Sequence, residues 1–402
     1  MNAASFLPAS RSHALERLEN FAPKAGSSYT RLRNFDLGPP HPHVSALSPY
    51  IRHRLIAEQE VAHEALRLHG ERGAEKFIAE VFWRTYFKGW LENRPHVWSL
   101  YKDEVAGLVD GLSTASYAKD YRAAVEGRTG IDCFDAWAEE LVTTGYLHNH
   151  ARMWFASIWI FTLRLPWALG ADFFLRHLLD GDAAANTLSW RWVAGLHTRG
   201  KNYAARASNI RKFTDGRFNP EGQLAVDPEP LEDDWNGAPA TSPDHGPFIP
   251  PEEPVLLLLH EDDYGFESLP LDRVELAAVC TVLAPERRSP LPVAGLVKDF
   301  TTAAAQDTVE RAKAAFGCPS VIAADCPVVR SMAERVGVRT ILVPYAPTGP
   351  MQDKLGQAKL EGFRIIYLQR SEDRAAWPAC TDGFFKLKKT IPKLLSAGDL
   401  LV

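Results

Sequence analysis

Between Leu141 and Trp192 the chain reads LVTTGYLHNHARMWFASIWIFTLRLPWALGADFFLRHLLDGDAAANTLSWRW, and no other stretch limits its fold as strongly. Five tryptophans lie in it, together with polar residues at fixed helical spacing. Asn149 and Arg152 are three apart and therefore share one face of a helix. In Leu179-Asp180-Gly181-Asp182 the glycine is expected to adopt an unusual φ, and the flanking aspartates can accept N–H bonds from backbone or ligand. Asp182 suits the N-cap of a helix over Ala183–Ala194, with Asn186 near its start. Taken alone, DGDAAAN is a capped helix start. With Asn149 and Arg152 converging on it, the turn reads as a polar ligand site set among apolar helices.

The 402 residues allow two domains with well-formed cores. With 46% hydrophobic and 24% charged residues, the composition excludes neither a soluble enzyme nor a binding protein, but it argues against a disordered chain. No apolar run approaches the ~20 residues that span a bilayer. The N-terminus shows no basic region followed by an apolar core, so a cytoplasmic location is expected. Five cysteines (Cys133, Cys280, Cys318, Cys326, Cys380) are scattered without a CxxC pair. They read as reduced thiols, and no metal site or iron–sulfur cluster is expected from their spacing. Residues 1–225 hold 27 Lys and Arg against 24 Asp and Glu, and the rest hold 18 against 26. The first half could meet a phosphate backbone locally; the acidic second half is better suited to a protein partner.

The pattern divides the chain at 225 and 253. Residues 1–225 are helical, with short amphipathic Ser12–Phe21 and a strongly helical, aromatic Glu75–Leu91. Residues 226–253 are Pro-rich and acidic, and read as an ordered-to-semi-rigid linker. In 254–402, the runs PVLLLLH, ELAAVCTVL, SVIAAD, RTILVPY and FRIIYLQR alternate with helical patterns at Thr301–Phe316 and Pro327–Val336. That alternation predicts a smaller α/β domain with a parallel sheet covered on both faces. It has no GxGxxG or Walker fingerprint. Asp262, Asp263 and Asp325 stand at strand ends, where they could be site residues, and read first as turn and helix caps.

TGYLHNHARM followed by DGDAAANTLSWRW resembles the flavin-binding helical domain of photolyases and cryptochromes, and the similarity runs from roughly Tyr29 to Pro220. The resemblance implies an all-helical photolyase-type domain holding FAD above a cavity for a flipped-out DNA lesion. It assigns Tyr29, Ser45, Leu47, Ser48, Arg152, Asp180, Asp182 and Asn186 to the cofactor. It assigns Glu80, Trp83, Asn149, Met153 and Trp192 to the lesion pocket, Trp83 as the stacking platform and Glu80 as the group reading the base edge. Trp190 and Trp167 match the first two rings of an electron-transfer chain. Arg84, His150, Arg199 and Lys201 fall where DNA is met.

The resemblance also shows departures. Val44 and Ala46 replace a Thr and an Arg in the segment that grips the pyrophosphate. Thr114 stands near the usual third tryptophan, with Trp98, Tyr117 and Tyr121 as possible substitutes. Thr162 replaces an acid, and His150 an arginine. The α/β part follows the helical part, whereas photolyases place an α/β antenna domain first; it is expected to dock where that domain does. The function implied is a blue-light, FAD-dependent photolyase acting on pyrimidine dimers in DNA. The alternative is a cryptochrome-like photoreceptor that signals through a partner of the acidic C-terminal domain.

Overall fold

The computed structural model describes residues 7–357, 360 and 362–398. Its first half is helical because apolar residues recur at helical spacing between glycine and proline stops. Helices α1 (Arg11–Phe21), α2 (Ser27–Leu32) and α3 (Ser48–Arg52) lead into α4 (Glu58–Glu92). α4 is two limbs meeting at Gly70, whose φ of 64° leaves the helical path, so the helix expected over Glu75–Leu91 forms the second limb. There follow α5 (His96–Asp110), α6 (Ala118–Val125), α7 (Asp132–Thr144), α8 (Asn149–Ser157), α9 (Trp167–His177), α10 (Ala183–Ala194) and α11 (Ala207–Phe213). α10 has the predicted limits. Asp182 Oδ1 accepts from Ala185 N at 2.7 Å, and Gly195 at φ 87° closes the other end.

The second half is a five-stranded sheet in the order β3-β2-β1-β4-β5, built from β1 (Val255–His260), β2 (Leu276–Val282), β3 (Ser320–Ile322), β4 (Thr340–Pro344) and β5 (Arg364–Leu368). Every pairing is parallel. β1 is central and buried along its whole length, which accounts for its unbroken apolar run. The crossovers use α12 (Gly295–Phe316), α13 (Cys326–Val336) and α14 (Pro350–Gly356). α15 (Ser371–Ala376), α16 (Phe385–Lys388) and α17 (Ile391–Gly398) end the described chain.

Two apolar clusters flank the sheet, and a larger one fills the helical half. The larger cluster also takes in Val297, Phe300 and Ala304 of α12 and Trp377, Phe384, Leu387 and Leu394 near the C-terminus. The sheet half is therefore docked on the helices by shared core. Charge fixes the register of that docking. The loop after β1 carries Glu261, Asp262 and Asp263 against Arg52, His53 and Arg54. Arg52 Nη1 lies 2.5 Å from Asp262 Oδ1, and Arg54 reaches Asp263 at 3.1 Å and Asp373 at 2.7 Å. Arg370 closes the network on Asp263 at 2.7 Å. All these side chains are buried.

Asp263 does cap its turn, accepting from Gly265 N at 3.3 Å, and both Asp262 and Asp263 serve in addition as counter-ions to buried arginines. Breaking such a pair costs far more than its net gain, because it strands a desolvated charge. Asp325 does cap α13, accepting from Val328 N at 3.2 Å. The acidic segment between the halves has no helix or strand but is pinned along its length. Leu231 N donates to Ala194 O at 2.9 Å, Arg94 Nε to Asn236 O at 2.7 Å, and Ala240 N to Asn93 O at 2.7 Å. Among the described residues, no helix is long and apolar enough to cross a membrane.

Candidate functional site

The acidic turn between α9 and α10 is the centre of a buried charge cluster. Arg152, one turn into α8, makes two bonds of 3.0 Å to the Asp180 carboxylate. From α4, Arg84 lies 3.6 Å from Asp182 and 4.0 Å from Asp180, and Lys88, one turn on, is 3.9 Å from Asp182. Arg52 Nε donates to Gly181 O at 2.8 Å. Gly181 does not adopt the unusual φ expected of it. Its role is close approach: a Cβ there would stand 2.8 Å from Leu175 O and 3.0 Å from Leu178 O.

Burial alone would raise both carboxyls. For Asp180, Arg152 and Arg84 outweigh burial and hold it below its ordinary value. For Asp182, Lys88, Arg84 and Arg52 do so more strongly, to about 2. Lys88 shifts the other way: burial and the neighbouring Arg54 lower it despite Asp182. Arg84 Nη1 and Lys88 Nζ are both buried with no hydrogen-bond acceptor within the protein. Two stranded cationic donors beside ionised carboxylates suit a ligand with acceptor atoms along one edge and N–H groups on another, such as a flavin ring. Asn186 Nδ2 donates to Ala171 O at 2.7 Å, which commits the amide nitrogen and leaves its carbonyl oxygen to meet a ligand.

The other predicted cofactor residues are less uniform. Ser48 opens α3 and its side chain adjoins Asp180. Ser45 Oγ accepts from Leu47 N at 3.4 Å, while the Leu47 side chain is packed in the core. Tyr29 is buried edge-on between Phe21 and Phe77, with Arg33 and Glu80 nearby. Val44 is half-buried, and Ala46 is buried at φ 49°, so neither adds a polar contact. The donor set fits the ring end of FAD better than its pyrophosphate.

The expected lesion pocket is partly covered. Trp83 stacks on Phe384, with centroids 4.1 Å apart and planes at 12°. Phe384 comes from the loop before α16, and Tyr86 Oη holds that loop by donating to Asp382 O at 2.5 Å. Glu80 is bonded by Arg33 Nη1 at 2.6 Å; burial nevertheless leaves its carboxyl raised. Trp192 is half-buried and stacked on Tyr203, centroids 5.6 Å apart, and Met153 is half-buried. Asn149 is exposed at the first position of α8 and, among the described residues, makes no bond to the acidic turn.

Of the residues expected at DNA, Arg199 and Lys201 are exposed. Arg84 is not: it is turned inward to Asp180 and Asp182, because two carboxylates at the helix face outcompete solvent. His150 is also held by the protein, its Nδ1 paired with Asn34 O at 2.9 Å and its ring stacked on Trp154 at 4.1 Å. Burial lowers its pKa, so it is neutral and no substitute for an arginine. Trp190 packs edge-on against Trp159 (6.1 Å) and Phe174 (5.1 Å), and Trp159 meets Tyr121 (5.9 Å). Trp167 packs on Tyr101 (5.8 Å), which stacks on Trp98 (5.3 Å). Thr114 is exposed on a short 3₁₀ turn, and Tyr117 is half-buried.

Arg33, Lys88 and Phe384 were not legible as site residues. Lys88 had a signal, lying eight residues beyond Glu80 and four beyond Arg84, on the same face of α4. Phe384 had none.

Residues 77–225 match the family model of the FAD binding domain of DNA photolyase. The chain is 33% identical over 202 residues to a deoxyribodipyrimidine photo-lyase of Streptomyces griseus, covering 47% of this chain and 43% of that one. It is 34% identical over 188 residues to one from a strain of Thermus thermophilus, covering 44% and 41%. The chain thus spans about two-fifths of the length of these relatives. Among solved structures, a bacterial class III photolyase from Agrobacterium tumefaciens is similar at 27% identity and a TM-score of 0.44, over 51% of this chain and 43% of that one. A Synechocystis cryptochrome matches at 21% identity and a TM-score of 0.41, also over 51% and 43%. Residues 77–225 thus carry an FAD-binding domain of the type found in DNA photolyases, and the helical half is similar to photolyases and cryptochromes.

Proposed function

We propose that this protein is a light-driven, FAD-dependent DNA photolyase that reverses pyrimidine dimers. The observation that carries the reading is the Arg152–Asp180 pair with Asn186 and the stranded donors of Arg84 and Lys88, one turn along α4 from an aromatic platform and a carboxyl. When bound, reduced FAD supplies photoexcited one-electron chemistry to a nucleobase lesion. Arg152, Asp180, Asp182 and Asn186 hold its ring, with Ser45 and Ser48 toward the phosphates. Trp83 and Trp192 offer aromatic faces to a flipped base, and Glu80 presents its carboxyl to the base edge. Arg199 and Lys201, exposed beyond α10, contact the DNA backbone.

The test is blue-light repair of an oligonucleotide carrying one defined cyclobutane dimer by chemically reduced protein, its absorption spectrum taken first. A flavin spectrum with light-dependent loss of dimer is expected. A flavin spectrum without repair would remove the enzyme reading.

A second reading, a photoreceptor that binds FAD and signals through a protein partner, is favoured by Phe384. That ring occupies the face of Trp83 on which a base would stack. Light-dependent partner binding without dimer loss distinguishes it.

A further inference from the structure

The acidic segment between the two halves puts one aromatic ring into the helical core. Trp235 packs against Trp167 with centroids 5.8 Å apart and planes at 64°, and its half-buried ring also meets solvent. We propose that Trp235 is the solvent-facing end of an electron relay Trp235–Trp167–Trp190, the part Thr114 cannot play. The proposal rests on the flavin reading above.

Trp235 meets Trp167 directly, and Trp167 and Trp190 share the first turn of α9. Trp167 is its first residue, and Trp190 lies over Gly170, one turn along: a Cβ at Gly170 would be 2.3 Å from Trp190 Cη2. Trp235 is fixed in place. Its N–H donates to Asp233 Oδ1 at 3.2 Å, its carbonyl pairs with His96 Nε2 at 2.8 Å, and the next residue, Asn236, donates from Nδ2 to Leu196 O at 2.8 Å.

Charge around the ring suits a donor. An indole that gives up an electron becomes a cation, and a buried cation needs a nearby negative charge. The Arg191 guanidinium lies over both rings, 5.7 Å from Trp167 and 5.0 Å from Trp235, and would oppose that change. Asp233 offsets it with two bonds of 2.5 and 3.1 Å. Glu232 and Asp234 add exposed negative charge on either side of Asp233.

The competing exit runs from Trp190 through Trp159 to Tyr121. Tyr121 is only 7% exposed, and a phenol must also lose a proton when it is oxidised. Trp98 is buried and reaches Trp167 only through Tyr101. Trp235 needs neither a proton acceptor nor a further ring.

The electrons balance with one external donor. With oxidised flavin bound and excited, Trp190 would supply it one electron, Trp167 would refill Trp190, and Trp235 would refill Trp167. A thiol in solution then gives one electron to Trp235 and releases its proton to solvent, on its way to disulfide. Every ring ends neutral, and no bond of the protein changes.

The experiment compares the full-length wild type with Trp235→Phe, Trp235→Tyr and Tyr121→Phe. In the flavin-free protein, the far-ultraviolet exciton signal of the coupled indoles is expected to change in Trp235→Phe by loss of the Trp167–Trp235 contribution, with those of Trp159–Trp190 and Trp137–Trp154 retained. With flavin bound and a thiol present, photoreduction should fall at least tenfold in Trp235→Phe and hold in Tyr121→Phe. Transient absorption should show a long-lived indole radical in the wild type and a phenoxyl radical in Trp235→Tyr, an exchange that a purely structural role would not produce. Wild-type photoreduction in Trp235→Phe, or its loss in Tyr121→Phe alone, overturns the relay while leaving the flavin site standing. A wild type that takes up no flavin overturns the reading of the site and the relay with it.

Discussion

Replacing Phe384 by alanine should tighten binding of damaged DNA. Phe384 is 5% exposed, stacked on Trp83 at 4.1 Å and edge-on to Tyr86 at 5.8 Å. Such a stack contributes about 0.5–1.5 kcal/mol beyond the area it buries. A base that enters must displace it, and a base stacked on an aromatic platform gains about 1–3 kcal/mol. Both rings claim one face of Trp83, so the cost of opening is subtracted from the observed affinity. Removing about 1 kcal/mol of that cost tightens the apparent Kd roughly fivefold, and 1.5 kcal/mol roughly twelvefold. The Tyr86–Asp382 bond survives the substitution and keeps the loop attached. The assay is anisotropy with a dimer-containing and an undamaged oligonucleotide, with flavin content and Tm as controls. Undamaged DNA should bind as before, and in a Trp83→Ala background the gain should vanish. A variant that keeps its flavin yet binds damaged DNA no better would refute the competition.

Trp83→Ala alone should weaken lesion binding by about 1–3 kcal/mol and leave flavin content intact; loss of flavin would make Trp83 a core residue. Asp182→Ala removes a helix cap and the nearest counter-ion of buried Lys88, so urea denaturation should register a loss of about 3–5 kcal/mol. Gly170→Ala forces a methyl into Trp190 and should cost about 1–3 kcal/mol, with a shift in tryptophan emission. Stability should also fall with acid in two stages. Burial lowers His148 and His197 to about 3 and His177 to about 4. Unfolded imidazoles protonate near ~6.5, so below that pH the unfolded chain binds protons that the native chain refuses, and stability drops. Asp182 adds a second loss as pH falls from about 3.9 toward 2, because its stabilisation is complete only above its unfolded value. A flat urea profile between pH 8 and 5 would contradict the first stage.

Local pattern carried much of this fold. The helix over Ala183–Ala194 and its Asp182 cap follow from composition within a dozen residues, and β1 declares itself by four successive leucines. Helix spacing put Asn149 and Arg152 on one face toward the acidic turn; Arg152 reaches Asp180 and Asn149 stays exposed, so spacing alone did not name the pair. What escaped was long-range. Phe384 meets Trp83 across 301 residues, and Trp235 meets Trp167 from a segment whose acidic, Pro-rich composition marks it only as a linker. Neither ring has a periodicity that names its partner. The second role of Asp262 and Asp263 escaped for the same reason, since nothing local to a strand end shows that an arginine some two hundred residues earlier is folded over it. Arg84 sits on the predicted helix face, but only tertiary structure shows that the face points inward.

The arginines at positions 52 and 54 also bear on the order in which the chain is made. On the ribosome they emerge long before Asp262, Asp263 and Asp373, the acids that neutralise them. Arg54 has Glu58 at 3.8 Å from the start, but sealing either guanidinium into the core before those acids arrive would leave it without its closest counter-ions. This corner of the helical half is therefore expected to stay hydrated until α15 has been synthesised. Domains commonly fold as units during synthesis, amino-terminal ones first. Here a corner of the amino-terminal half is completed by acids that lie about 210 to 320 residues further along the chain.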